Sequence, residues 1–524
     1  MFEKLNGSDR PVAVVGMSLR VPGASNLDRF WQKLVSGRDC LTRLSEAEML
    51  EAGVSWQRLV DPRYVRARPI LRDIDLFDAA FFDISPFEAE RIDPAHRMFL
   101  ECSWECFEAA GIAPGPDEPT TGVFAGVEGW YREKCLTEID DPDDPGIGIP
   151  LRLGTALDFF AARVSHKLNL GGPSFTIMAA CATSLQAIHQ AVLSIRTGEC
   201  GLAIAGGATV DPMQHPEYLS GVEGMLSATG RIRPFDAHAD GTIFGYGVGA
   251  VLLRPLEDAI ASGNPIHAVI RGSSTSNDGN PPGKKSFVAP SPTGQIPAIA
   301  GALEDGQIDP DTIGYVEAHG TGTLLGDPTE VRSLTEVYRR HTSRTGYCSI
   351  GSVKANVGHL RAAAGVVSFI KSCLALRNRV LPPLTNFSTP NPLIDFESTP
   401  FRIHTVAKPW ESSDRPRRAA VSSFGFGGSN AHVILEETPQ VQTRTSSKRI
   451  HLLPVSARSA AALDRRLIDL ERHLSAHKDL DLDDFAHTLQ CGRTGFSHRV
   501  CLTADPEEFD SAHVRSVESH ERNV

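Results

Sequence analysis

The sequence predicts an α/β fold with buried sheets. Continuous apolar runs such as Pro11–Met17 and Val123–Val127 read as strands covered on both faces. Stretches with a helical period lie between them. Strands that alternate with helices in this way belong to layered sheets.

Pro11–Met17 is the first strand. Asn26 caps a helix carrying Leu27, Phe30, Trp31 and Leu34. Residues 39–71 lack a sustained period and read as an excursion over the surface. A segment dense in Phe and Asp, 75–84, precedes a helical region over Pro86–Ala110. Val123–Val127 is the second strand. Glu128–Pro150 is rich in Asp, Gly and Pro and reads as a loop. Ala156–Leu168 is helical. After a Gly171-Gly172-Pro173 turn comes a short apolar run, then a helix with Leu185, Ile188, Val192 and Ile195 on one face. Strands are expected at Leu202–Ala205, Val251–Leu253, Ile266–Arg271, Ile313–Glu317, Cys348–Val353, Val421–Phe424 and Ala431–Leu435. Helices are expected from Ser291, from Pro328 and over Ala362–Leu376. Gly245, Gly247 and Gly249 precede a strand rather than following one and opening a helix. They read as a tight backbone approach, not a dinucleotide fingerprint.

The composition changes at Thr438. The expected organisation is a main body over 11–437, a polar linker over 438–450, a small unit over 451–503 and a polar tail over 504–524. The small unit holds a strand at Leu452–Ser456 and amphipathic helices at Ala460–Leu474 and Leu482–Leu489. A net charge of −12 argues against a nucleic-acid partner held by overall charge. Arg63, Arg66, Arg68 and Arg72 read as solvated surface. The ten cysteines are scattered without metal-ligand spacing, so no metal is expected and a reducing, cytoplasmic compartment is. Met1–Arg10 has no signal-peptide hydrophobic region, and no apolar run is long enough for a membrane span.

Four turns at strand ends carry chemistry. They are Met178-Ala-Ala-Cys181, Glu317-Ala-His319-Gly-Thr-Gly-Thr323, Gly351-Ser-Val-Lys354 through His359, and Ser423-Phe424-Gly-Phe-Gly-Gly-Ser429. Open α/β sheets place ligand sites at the carboxyl ends of strands, so a thiol, two imidazoles, an ammonium and a Gly-rich loop can converge. Cys181 falls where a strand ends and a helix begins. The unpaired N–H groups and dipole of a helix start lower a thiol pKa. A buried structural thiol is the competing reading.

These motifs, with Val15-Gly-Met-Ser-Leu-Arg20 and Asp93-Pro-Ala-His-Arg97, resemble the β-ketoacyl synthase (ketosynthase) domain of type I polyketide synthases from about Pro11 to Glu437. Leu452-Leu-Pro-Val-Ser-Ala-Arg458 and Thr488–Arg499 resemble the start of the linker domain that follows it. The resemblance implies the thiolase fold, two similar sheet-and-helix halves in a homodimer, with a small α/β linker domain after it. It implies an acyltransferase of polyketide and fatty acid type chemistry, with no bound cofactor and with substrates carried on the phosphopantetheine of an acyl carrier protein. An acyltransferase serves it in cis or in trans. In this reading Cys181 takes the acyl group, His319 and His359 stabilise the enolate formed by decarboxylation of a malonyl-type unit, and Lys354 supports them. The N–H groups of Cys181 and Phe424 form the oxyanion hole, and the Phe424 side chain gates the pocket. Met178, Ala179, Thr321, Thr323, Asn356, Gly425, Phe426 and Gly427 are the implied substrate-binding positions.

Several positions depart from the family pattern: Met178-Ala179-Ala180 before the nucleophile, Ala182-Thr183-Ser184 after it, Tyr246, and Arg361. They bear on the acyl substrate rather than the reaction. A coenzyme A-dependent thiolase-like enzyme and a non-catalytic partner protein are the alternatives. The second normally lacks the nucleophile that Cys181 supplies.

Overall fold

The computed structural model describes residues 10–51, 53–115, 119–138, 145–214, 217–221, 225–282, 284, 286–411, 415–439, 450–477 and 480–504. The linker expected over 438–450 and the tail over 504–524 fall almost wholly outside them.

Two halves repeat one design. The first contributes β1 (Val12–Arg20), β2 (Thr121–Gly129), β3 (Ser174–Thr176), β4 (Leu202–Val210) and β5 (Gly247–Pro255). The second contributes β6 (Ala268–Asn277), β7 (Tyr315–Glu317), β8 (Cys348–Gly351), β9 (Phe401–Arg402), β10 (Arg418–Phe424) and β11 (Ser429–Glu436). All pair in one sheet, ordered β9-β8-β7-β10-β11-β6-β1-β5-β4-β2-β3. Outward from the central β6/β1 pair, the two halves run in the same order. β1/β5 and β5/β4 are antiparallel, β4/β2 and β2/β3 parallel. β6/β11 and β11/β10 are antiparallel, β10/β7 and β7/β8 parallel. The pattern fits the expected thiolase-type duplication, with β9 added at the outer edge of the second half.

Burial explains why these segments are strands. Val12, Ala13, Val14 and Val15 are wholly buried, as are Leu202–Ala205 and Val251–Leu253. Helices cover both faces. Pro94–Ala110 packs on one, capped by Asp93, whose carboxylate accepts from Ala95 N at 2.8 Å. Thr183–Thr197 and Ala364–Asn378 lie in the core on the other.

One expectation needs correction and two need completing. Where it is described, Glu128–Pro150 is not a loop: β2 continues to Gly129, and helices run over Tyr131–Glu138 and Pro145–Thr155, while 139–144 lie outside the described residues. Pro145 tolerates a helix start, and tertiary packing carries Pro150, since Leu151 is buried and Gly154 O accepts from Asp93 N at 3.0 Å. The 39–71 excursion runs over the surface across 42–64, where Met49 is the only buried residue among those described, and is anchored at its two ends. Leu41, Val65 and Ala67 form a cluster with Tyr218, Ile232 and Ile243. A β-carbon at Gly245 or Gly358 would meet Pro69 Cγ at 2.4 or 2.2 Å. In the small unit β12 (His451–Ala457) pairs antiparallel with a further strand, β13 (His498–Ala504). Gly245, Gly247 and Gly249 are close-approach glycines: β-carbons at the last two would meet Leu360 and Val366 at 2.8 Å.

Candidate active site

One reactive turn comes from each half, after its third strand. In the first, β3 leads to a single 3-10 turn, Ala180–Ala182, and the helix Thr183–Thr197. Ala180 takes a left-handed φ of 49° and Cys181 follows it, buried. Thr183 Oγ1 accepts from Ala179 N at 2.8 Å, and Ser423 Oγ donates to Cys181 O at 2.7 Å. Gly126 makes the close fit possible, because a β-carbon there would lie 2.1 Å from Ile177 O. In the second half, β8 leads through the short helix Lys354–Val357 to His359, a 3-10 turn Arg361–Ala363, and the helix Ala364–Asn378. Arg361 also has φ 49°.

His319 stands on a third turn, after β7. Two buried carboxylates shape it. Glu330 accepts from His319 N at 2.7 Å and Gly320 N at 2.8 Å. Asp327 accepts from Gly322 N at 3.1 Å and Phe235 N at 2.8 Å. Burial pushes both carboxyls up, Asp327 to about 6, while these N–H groups hold them back. Sequence reasoning missed the pair. Asp327 in the first turn of a helix that follows a Gly-Thr-Gly-Thr turn, with Glu330 three residues on, was the available signal.

The His319 and His359 rings lie 5.5 Å apart and nearly perpendicular, at 86°. Phe424 N–H donates to His319 Nδ1 at 3.3 Å, and Arg361 N–H donates to His359 Nδ1 at 3.1 Å. A ring nitrogen that accepts carries no proton, so each neutral ring holds its proton on Nε2. Burial, then Lys354, pulls both histidines well below their ordinary pKa. The site therefore offers two uncharged N–H donors. Lys354 is itself buried, which lowers its pKa, while Glu317 and Glu330 push it back. Lys371 Nζ sits 2.8 Å from Glu317 Oε2, so two ammonium groups share Glu317.

Cys181 corrects the expected low thiol pKa. Burial pushes it up to about 11; Lys354, the Phe426 N–H and Arg361 pull it back, while Glu128 pushes it further. Desolvation outweighs the pull of these neighbours. The Phe426 N–H faces the thiol, and the Phe424 N–H is taken by His319. Phe424 is buried, whereas Phe426 is 40% exposed.

Two cavities meet at Phe426. One, about 380 Å³, holds Cys181 with Met178, Phe244, Arg361 and Ala362. The other, about 370 Å³, holds His319, His359, Thr321, Thr323 and Gly425. Phe426 and Met225 line both. Thr321 and Thr323 hydroxyls are 3.0 Å apart. Three expected substrate-binding residues line neither. Asn356 is committed to Arg38 O at 3.0 Å and Thr385 Oγ1 at 2.8 Å. Ala179 serves the turn through its hydrogen bonds to Thr183 and Ala182. Gly427, at φ 84°, packs against Phe287. Tyr246 is buried and donates to Asp211 at 3.2 Å. Among the described residues no group of His, Cys, Asp or Glu is arranged to hold a metal ion, and no helix is long and apolar enough to cross a membrane.

The N-terminal and C-terminal β-ketoacyl synthase domain models match residues 9–259 and 267–388, and the ketoacyl-synthetase C-terminal extension matches 390–501. The crystal structure of ketosynthase twelve of the bacillaene polyketide synthase from Bacillus amyloliquefaciens superposes with a TM-score of 0.88 at 37% identity, over 96% of this chain and 87% of that one. The chain belongs to the β-ketoacyl synthase family. It is a ketosynthase of polyketide synthase type with the thiolase fold. A phenolphthiocerol/phthiocerol polyketide synthase polypeptide of Mycobacterium tuberculosis is 42% identical over 95% of this chain, and polyketide synthase PksN of Bacillus subtilis 36% over 96%. The chain spans 34% and 9% of the length of those two proteins.

Proposed function

We propose that this ketosynthase moves an acyl group from a carrier-borne phosphopantetheine thioester onto Cys181 and extends it with a malonyl-type unit from the same kind of carrier. The thiol adds to the donor thioester carbon, the pantetheine thiol leaves, and acyl-Cys181 remains. The extender then enters the cavity of His319 and His359. Its carboxylate leaves as CO2, and the electron pair passes into an enolate. The two Nε2–H donors stabilise the oxygen of that enolate without adding charge to the cavity. The enolate carbon attacks acyl-Cys181, the C–S bond breaks, and the thiol is restored on protonation.

The observation that carries this reading is the placement of thiol and imidazoles in adjoining cavities that share Phe426. We assign the gate and the second oxyanion donor to Phe426 rather than Phe424, because the Phe424 N–H already serves His319. Lys354 acts through charge on the thiol and both rings. A homodimer is supported by β3, a sheet edge whose Phe175 is exposed. The carrier protein and an acyltransferase, in cis or in trans, complete the set, in the cytoplasm. The main body, linker, small unit and tail keep the boundaries given above.

Loading with an acyl-carrier donor followed by a malonyl-carrier tests the proposal. Wild type gives a Cys181 adduct by mass spectrometry and then a β-ketoacyl product. Cys181→Ala gives neither. Exclusive use of coenzyme A donors, or product formation without the adduct, overturns it.

A further inference from the structure

Arg361 is one of the departures from the family pattern, and its surroundings are unusual. It holds a left-handed backbone, which an arginine adopts only at some cost. Its guanidinium lies over two rings, 4.4 Å from the centre of Phe244 and 4.9 Å from that of Trp130. Nη1 donates to Glu128 Oε1 at 2.9 Å. Nε is buried, whereas Nη2 makes no hydrogen bond among the described residues and the side chain keeps 21% of its surface open. Arg361 and Glu128 are also the only charged side chains among the described residues lining the Cys181 cavity. The remaining wall is mostly apolar: Val127, Met178, Met225, Phe244 and Phe426.

A clamped guanidinium in an otherwise oily cavity is a poor wall for a plain hydrocarbon chain. A bound chain that covers Nη2 without offering it an acceptor leaves a donor unpaired, which is destabilising, and a site built around such a donor discriminates against ligands that lack an acceptor. The ring stacking and the Glu128 contact fix the guanidinium plane, so little order is lost when an oxygen meets it.

We propose that Arg361, held by Glu128, Trp130 and Phe244, is a specificity-determining residue that selects acyl chains bearing a hydroxyl or oxo oxygen near the thioester end. The inference rests on Cys181 being the loading site. The nucleophile and the imidazoles act on every acyl group alike, and so does the Arg361 charge on the thiol; only its contact with the chain can change the ratio between donors.

The test uses N-acetylcysteamine thioesters of hexanoate, 3-hydroxyhexanoate and 5-hydroxyhexanoate, each given to the full chain. Formation of the Cys181 adduct is timed by intact mass. At least one hydroxylated donor is expected to load about tenfold faster than hexanoate. Arg361→Met has similar length and the same backbone demand. It is expected to bring that ratio to within about twofold, a change that general damage does not produce because damage slows both donors. Should Arg361→Met not fold, Arg361→Lys decides, since moving the donor must change the ratio. Equal loading of all three donors by wild type, or an unchanged ratio in the variant, overturns this inference and leaves the condensing reading intact. Absence of any adduct from any donor overturns both.

Discussion

The two halves build the same turn and use it differently. Each follows its third strand with a 3-10 turn that opens on a left-handed residue of φ 49°, Ala180 in one and Arg361 in the other. Each then enters a long buried helix, Thr183–Thr197 or Ala364–Asn378. In the first half the next residue is Cys181; in the second it is Ala362, and both line one cavity. The lesson is that the turn supplies position, not reactivity. Reactivity at Cys181 comes from what faces it: the Phe426 N–H and the cationic Lys354 and Arg361. The second half spends its turn on His359, whose ring nitrogen is oriented by the same left-handed residue that shapes the elbow. The edges differ too. β8 is buried and flanked by β9, while β3 ends the sheet with Phe175 exposed.

The largest effect should come from exchanging the two turns. The double variant Cys181→Ala, Ala362→Cys keeps one thiol in the same cavity, on the equivalent elbow. Adduct formation should fall at least about a thousandfold, because the Phe426 N–H addresses the other position. Loading within about tenfold of wild type would mean that the elbow alone makes the nucleophile.

Removing the second half's contribution should be smaller and step-specific. His359→Ala should still form the Cys181 adduct, yet condense about a hundred to a thousandfold more slowly, as losing one preorganised donor does elsewhere. Single-turnover mass spectrometry separates the steps, and equal loss of both would break the assignment of loading to one half and decarboxylation to the other.

The smallest effect concerns pH. A thiol pushed up to about 11 is mostly protonated near neutrality. Raising the pH makes more thiolate, so Cys181 alkylation by iodoacetamide should accelerate about tenfold per pH unit from 7 to 9 without levelling off. A plateau below pH 8 would show the helix start prevailing over burial.

Much of this is legible from residue order. Apolar runs mark nearly every strand of the sheet, because strands buried on both faces cannot be mistaken for amphipathic surface. Cys181, His319 and His359 are legible because each sits in a turn too rich in small residues to be core. What stays hidden depends on distant partners. The helix Pro145–Thr155 exists because Gly154 and Leu151 dock on the main body, which a local count of Asp, Gly and Pro does not register. The thiol pKa escapes residue order because burial is a property of the assembled fold. Asn356 looks functional within its motif, but its amide is consumed by Arg38 and Thr385, neither of them near in sequence. Phe424 and Phe426 are two residues apart, and only the hairpin between β10 and β11 decides whose N–H meets the thiol.

Both histidine tautomers are set by main-chain N–H groups, those of Phe424 and Arg361. Every amino acid except proline brings the same N–H to that place. The tautomer of His359 is thus set by the peptide at position 361, whichever side chain is attached, while the Arg361 charge adds to the pull on its pKa. A condensing enzyme can therefore change substrate preference at the residue next but one to its own catalytic histidine while the proton stays on Nε2.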